Sequence, residues 1–215
     1  MIPEPTPTRP EELLLPLYPV RGKPFCRNRF LEYAMAGAAL AELELQDRVT
    51  GQGARFQVTH PLEPPDPVLA GVTRSLPAPG KGGGGSGASA ERWVRHAGRR
   101  VEGLYLDALV ERGVLRRETH RFLGLLPYRR HPVVAKDLAA LARTRFYAAE
   151  RAGFPDPRSR ALAALVSAAG LSRSVGGTDR GSRRAMRHLV HDHWPAHAVL
   201  RNIRQDKANQ SGDGG

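Results

Sequence analysis

Four histidines and a carboxylate stand within ten residues of one another: His188, His191, Asp192, His193 and His197. Imidazoles one helical turn apart, as His188 and His191 are, can share a zinc ion. The stretch has no His-Glu-x-x-His, and neither cysteine nor glutamate stands at ligand spacing. A basic helix end, its imidazoles matched to the helix dipole, accounts for the same residues. No bound metal is expected, although a small metal-dependent enzyme stays open as an alternative. The one cysteine, Cys26, is followed by Arg27 and Arg29, neighbours that lower a thiol pKa. Nothing beside it completes a nucleophilic pair, so a non-catalytic thiol is expected. No Gly-x-Ser-x-Gly occurs and no carboxylates pair for acid–base work. The run Gly82-Gly83-Gly84-Gly85 lacks the Lys-Ser/Thr ending and the preceding strand of a phosphate loop. Neither a catalytic residue nor a cofactor is expected.

What remains is arginine. Pairs stand at Arg99-Arg100, Arg116-Arg117, Arg129-Arg130 and Arg183-Arg184. Residues 92–132 hold ten arginines against Glu102, Asp107, Glu111 and Glu118, a surplus that is half of the chain's formal +12. Guanidinium is a planar, bidentate partner for phosphate and carboxylate. An anionic partner follows: acidic lipid headgroups, nucleic acid or an acidic protein. A charge run is often only a solvated face, which suffices for Arg183-Arg184. Arg129-Arg130 are less easily dismissed. They adjoin Leu125, Leu126 and Tyr128 at what reads as an exposed hairpin tip, a composition suited to insertion among headgroups. A helix followed by a small basic wing would equally describe a winged-helix reader of DNA.

The elements that must position these residues follow from periodicity. Trp93, Ala97, Val101, Leu104 and Ala108 put an apolar face on a helix that Gly113 ends in a left-handed cap. Leu31, Ala34, Met35, Ala38, Ala39, Leu43 and Leu45 mark a core helix over 30–46, with Asn28 as its cap. Its many small residues admit a second helix closely. Residues 47–59 read as a β-hairpin turning at Gly51-Gln52-Gly53. Further helices are expected over 11–17, 67–76, 133–151 (apolar through Val134, Leu138 and Leu141), 158–169, 182–193 and 196–204. Val114-Leu115 and 121–126 read as extended pieces around a turn, closed by Pro127 and Pro132. Segment 172–181 reads as loop.

At 215 residues one domain is the prior, placed at 11–204 between a loose segment 1–10 and a disordered tail 205–215, with a flexible Gly-rich loop at 77–90. A single cysteine excludes an intrachain disulfide and suits a reducing, cytoplasmic setting. The N-terminal stretch does not read as a secretory signal, and no apolar run is long enough to span a bilayer.

The stretches EELLL at 11–15, AGAALAELELQDRV at 36–49, LVERGVLRRETHRFLGLLPYRRHP at 109–132, PDPRSRALAALVSAAGL at 155–171 and WPAHAVLRNI at 194–203 share an order. In that order the chain resembles the Golgi phosphoprotein 3 family, most of all its bacterial, actinomycete-like members. The resemblance covers nearly the whole chain apart from the Gly-rich loop and the tails. It implies an all-α fold, a helix bundle wrapped by amphipathic helices with one or two short β-hairpins. It also implies non-enzymatic, peripheral binding to phosphatidylinositol 4-phosphate in membranes. In the Golgi members the headgroup is held by an aromatic in the loop before the second long helix, an arginine nine residues on, and two arginines three apart in the bundle helix. Those places here carry Arg27, Ala36, Arg99 and Glu102. Only Arg99 survives, and a carboxylate beside a phosphate opposes binding.

The expected lipid- and phosphate-binding set is therefore Arg99, Arg27, Arg95, Arg100, Arg129 and Arg130. Leu125, Leu126 and Tyr128 form the membrane-inserting hairpin. The expected partner is an anionic, phosphoinositide-like membrane lipid, with room for a protein cargo and for self-association. Nucleic acid is the alternative, through a winged-helix arrangement.

Overall fold

The computed structural model of the chain describes residues 9–17, 28–78, 87–122, 126–175 and 179–212. Its elements in chain order are α1 (Arg9–Leu17), α2 (Asn28–Leu45), β1 (Val49–Gln52), β2 (Arg55–Val58), α3 (Pro67–Thr73), β3 (Ala88–Ser89) and α4 (Ala90–Glu111). Then come β4 (Glu118–Phe122), β5 (Leu126–Arg130), α5 (Lys136–Arg151), α6 (Pro157–Ala168), α7 (Ser172–Val175), α8 (Arg180–Asp192) and α9 (Trp194–Gly212). The fold is mostly helical, with two small antiparallel sheets.

α2 is the axis. Every residue from Phe30 to Leu43 except Glu32 is buried, the mark of a helix enclosed on all sides. α1, α4, α6 and α9 pack around it. The small residues of its middle set how closely they come. A Cβ built on Gly37 would stand 2.5 Å from Val199 Cγ2 and 2.9 Å from Leu165 Cδ2. Glu42, also enclosed, is met by Arg158 Nη2 at 2.8 and 3.1 Å. Asn28 is the first helical residue rather than a flanking cap.

α4 lies against α2, and the close point is again a glycine. A Cβ on Gly98 would be 2.9 Å from the Glu32 carbonyl oxygen. Ser89 caps the helix start, its hydroxyl accepting from Arg92 N–H. Gly113, at φ 70°, ends it. The Gly113 N–H donates to Val110 O and the Val114 N–H to Leu109 O, the paired bonds that satisfy terminal carbonyls in a Schellman motif. The buried face runs through Trp93, Val94, Ala97, Gly98, Val101, Tyr105, Leu106 and Leu109. Leu104 and Ala108 are only half-buried, so the apolar stripe is one residue out of phase with the sequence reading at its C-terminal half.

Several boundaries differ from the sequence expectations. The 47–59 hairpin turns at Gly53-Ala54, because Gln52 pairs with Arg55 and Gly53 takes φ 62°. It gains a third strand, since Phe56 pairs with Ala88 and Arg55 with Ser89. The end of segment 77–90 is thus ordered as strand and helix start, while 79–86 lie outside the described residues. Pro127 does not close the extended piece. It lies within β5, opposite Arg121.

α5 begins at Lys136, not at Val133. Leu115 bridges Val133, and Arg116 N–H donates to Pro132 O and Val134 N–H to Val114 O. Those backbone groups are spent on the strand-like return. Val134 and Leu141 are 55% and 42% exposed, whereas Ala142 and Phe146 are buried, with Phe146 tilted against Phe154 at 5.9 Å. Segment 172–181 contains the short α7 and the first residues of α8.

The tail is also corrected. α9 continues to Gly212 because Asp206, 6% exposed, is bonded into the body of the molecule. Among the described residues no helix is long and apolar enough to cross a membrane.

Candidate anion-docking face

The outer side of α4 carries the exposed residues Arg92, His96, Arg99 and Arg100, with Arg95 half-buried beside them. Steps of three and four residues set these on adjoining positions of one helix surface. Arg92 and Arg100 are separated by two turns, roughly 12 Å along the axis. Arg92, Arg99 and Arg100 make no ion pair among the described residues, whereas Arg112 is bound to the buried Glu11. Three guanidiniums therefore face solvent along two turns of a helix whose other side is locked in the core.

Arg95 is occupied differently. Its Nε donates to Asn202 Oδ1 at 2.9 Å, its Nη1 to Asp206 Oδ1 at 3.0 Å and its Nη2 to Gln205 Oε1 at 2.9 Å. All three partners lie on α9. Asp206 also accepts from the Tyr33 hydroxyl at 2.9 Å, and Arg29 Nε stands 3.0 Å from its Oδ2. Arg29 Nε donates as well to Tyr33 Oη at 2.7 Å. Both guanidiniums lie 5.8 Å from the Tyr33 ring centroid. Burial pushes the Tyr33 phenol above its ordinary pKa, the hydrogen bond from Arg29 opposing it. Arg95 is accordingly an internal anchor here.

The hairpin is a second basic element. Glu118 pairs with Arg130 and Thr119 with Arg129 across it, so pleating sends Arg129 and Arg130 to opposite faces. Arg130 Nη2 donates to the Tyr128 hydroxyl at 2.8 Å and the guanidinium lies 5.2 Å from the ring centroid. The Tyr128 ring stacks on His120 at 5.6 Å, His120 meets Glu118 at 3.0 Å, and Glu118 meets Arg116. First the His120 hydrogen bond and then that from Arg116 lower the Glu118 pKa.

Tyr128 therefore sits mid-strand within a bonded ladder rather than at an inserting tip. Leu125 lies outside the described residues, and of Leu126 only its place as the first residue of β5 is described. Arg129 is exposed. It acts on the half-buried His131, whose pKa falls first through burial, then through Arg117, with Asp107 opposing and Arg129 adding to the fall. Asp107 and Arg117 are ion-paired, and Asp107 is two turns beyond Arg100 on the same side of α4. Arg99 and Arg100 make no contact with Arg129 or Arg130 among the described residues.

A family model for Golgi phosphoprotein 3 (GPP34) matches residues 10–205. The chain belongs to the Golgi phosphoprotein 3 family. No curated protein matches it.

Of the four places where Golgi members of the family hold their headgroup, Arg27 lies outside the described residues. Ala36 is fully enclosed and no headgroup reaches it. Arg99 is exposed and Glu102 half-buried one turn on. Arg92 was missed by the sequence reading, though its step of seven to Arg99 marks it as a neighbour on the same face. Tyr33 and Asp206 were also missed. Arg29 and Tyr33 stand four apart in one helix, a legible pair, but Asp206 is remote in sequence and carries no signal. Among the described residues no group of three or more His, Cys, Asp or Glu side chains could hold a metal ion. His188 and His191 are exposed on α8, and the chain breaks helix at His193.

Proposed function

We propose that this member of the Golgi phosphoprotein 3 family is a non-enzymatic, peripheral membrane protein that docks on anionic phospholipid headgroups, phosphoinositides above all. The supporting observation is the line of exposed guanidiniums at Arg92, Arg99 and Arg100, unpaired within the described residues and held on a helix with a buried opposite face. A rigid scaffold presents them without the ordering cost that a flexible basic tail incurs. Phosphate accepts paired guanidinium hydrogen bonds, and each basic residue near an anionic surface is worth about 1 kcal/mol. Arg129 is a further exposed guanidinium, carried by β5 rather than by α4.

Vesicle co-sedimentation tests this. Binding should rise from neutral to generic anionic to phosphoinositide vesicles. The double change Arg99→Glu with Arg100→Glu should lower it at least about tenfold, two basic contacts being lost and two repulsions added. Equal binding to neutral vesicles removes the reading. Binding to duplex DNA that falls steeply with salt, with indifference to vesicles, would put a nucleic-acid reader in its place.

A further inference from the structure

Asp206 is a buried carboxylate held between two arginines. It stands one position past the 10–205 span of the family match, on the last turns of α9. Between Gln205 and Ser211 it is the one buried residue. What holds this end of α9 to the body is thus polar. Arg29, Tyr33 and Arg95 grip the Asp206 carboxylate, Arg95 holds Gln205, and Lys207 lies 5.6 Å from the Phe30 ring centroid. Helix ends with little apolar burial open at low cost.

The grip has the chemistry of an anion site. Donors from two helices, a phenol and two guanidiniums, converge on one carboxylate whose side chain is 7% exposed, while the Arg29 side chain is 59% exposed and opens the cluster to solvent. Two guanidiniums meet one carboxylate at its centre, Glu32 acting on Arg29 from farther off. A phosphate monoester, with a charge of about −1.5 to −2 near pH 7 and three acceptor oxygens, matches two guanidiniums and a hydroxyl more fully than a carboxylate does. Arg99 stands one turn beyond Arg95, next to any phosphate seated there.

We propose that Arg29, Tyr33 and Arg95 form a phosphate-monoester clamp that α9 closes with its own carboxylate, Asp206, and that a phosphate entering the clamp displaces Asp206 and frees the end of α9. The clamp deepens the docking reading and rests on it only where the phosphate is borne by a lipid. Occupancy by Asp206 makes the resting protein a weak binder, and the ligand competes with an internal anion.

The test uses the full chain and three probes: inorganic phosphate, a soluble inositol phosphate, and vesicles with and without phosphoinositide. Asp206→Asn should bind the phosphate probes about tenfold more tightly than the wild type, the worth of one charge-assisted hydrogen bond. Adding Arg95→Gln should cancel that gain, and Glu63→Gln, in a surface pair with Arg74, should leave binding unchanged. Hydrogen exchange of the unsubstituted chain should show amides 205–212 losing protection when phosphate is added, a readout that survives any folding defect of the variants. A gain with inorganic phosphate alone assigns a free anion, and a gain with the inositol phosphate and vesicles assigns a headgroup. A folded Asp206→Asn protein with wild-type phosphate affinity overturns the clamp, as does unchanged protection at 205–212 under saturating phosphate. Vesicle binding by an Asp206→Asn protein that shows no gain for inorganic phosphate or the inositol phosphate sinks the clamp and spares the docking reading. Phosphate binding that follows Asp206, without vesicle binding, does the reverse.

Discussion

Gly98 and Gly103 lie five residues apart in α4 and should respond differently to alanine. At Gly98 the added Cβ would meet the Glu32 carbonyl oxygen at 2.9 Å and its carbonyl carbon at 3.0 Å. Both are backbone atoms of α2, the most enclosed helix, so no flexible side chain can swing away. Forcing an extra carbon into such a contact costs about 1–3 kcal/mol. Alanine in a helix interior is favoured over glycine by about 1 kcal/mol, which offsets part of that cost. Gly98→Ala is therefore expected to be neutral to about 2 kcal/mol destabilising.

At Gly103 nothing lies within 4 Å of the added carbon. Only the propensity gain acts, and Gly103→Ala should stabilise by about 1 kcal/mol. The gap between the two variants, about 1–3 kcal/mol, isolates the clash from the helix propensity they share. For a chain of this length 1 kcal/mol moves Tm by about 2–4 °C. Thermal melts followed by circular dichroism at the helix band should place Gly103→Ala above wild type and Gly98→Ala below Gly103→Ala by at least about 2 °C. A Gly98→Ala protein as stable as Gly103→Ala would refute the close approach of α4 to α2, and with it the geometry that turns Arg92, Arg99 and Arg100 outward.

Two further outcomes follow. Phe146→Ala, removing a side chain that is 3% exposed, should cost about 3–5 kcal/mol in urea unfolding, while Leu141→Ala at 42% exposure should change little. The reverse order would restore the α5 phase read from the sequence. His131 has a lowered pKa in the folded chain, so below its ordinary 6.5 the unfolded chain takes up the proton and the folded one does not. Stability should therefore fall as pH drops through the window from 6.5 to the folded value and level off beneath it. His131→Asn should remove that part of the slope, and an unchanged pH profile would contradict the burial.

Local chemistry made much of the fold legible. Gly113 and Gly170 end α4 and α6 where left-handed backbone is needed, at φ 70° and 74°, and α2 announced itself through its alanines. What escaped was decided across the chain. The apolar phase of α5 misled because Val134, inside the expected helix, is held by a hydrogen bond to Val114 O in a strand-like return. Once the helix starts at Lys136, the stripe moves to Ala142 and Phe146. Tyr128 looked like an apolar neighbour of arginines at a tip, and only the register opposite His120 shows it mid-ribbon. Arg95 belongs to the expected phosphate-binding set, and nothing local in the sequence shows that its own partners lie on α9, more than a hundred residues on. Ala36 marks the limit of carrying positions over by eye: the position matched to a headgroup arginine is enclosed in the core.

The two tryptophans of the chain meet at a single corner. Trp194 stacks on Phe56 at 5.6 Å, and Trp93 approaches the same ring edge-on at 6.2 Å. Trp194 Nε1 also donates to Glu44 at the end of α2. Selectively excited tryptophan emission is consequently a spectroscopic witness to one junction, where the three-stranded sheet joins the starts of α4 and α9. It is blind to the β4–β5 ribbon and to α5. An emission change that precedes loss of the helix signal would mean that this corner loosens ahead of the rest, and coincident curves would mean that the molecule comes apart as a unit.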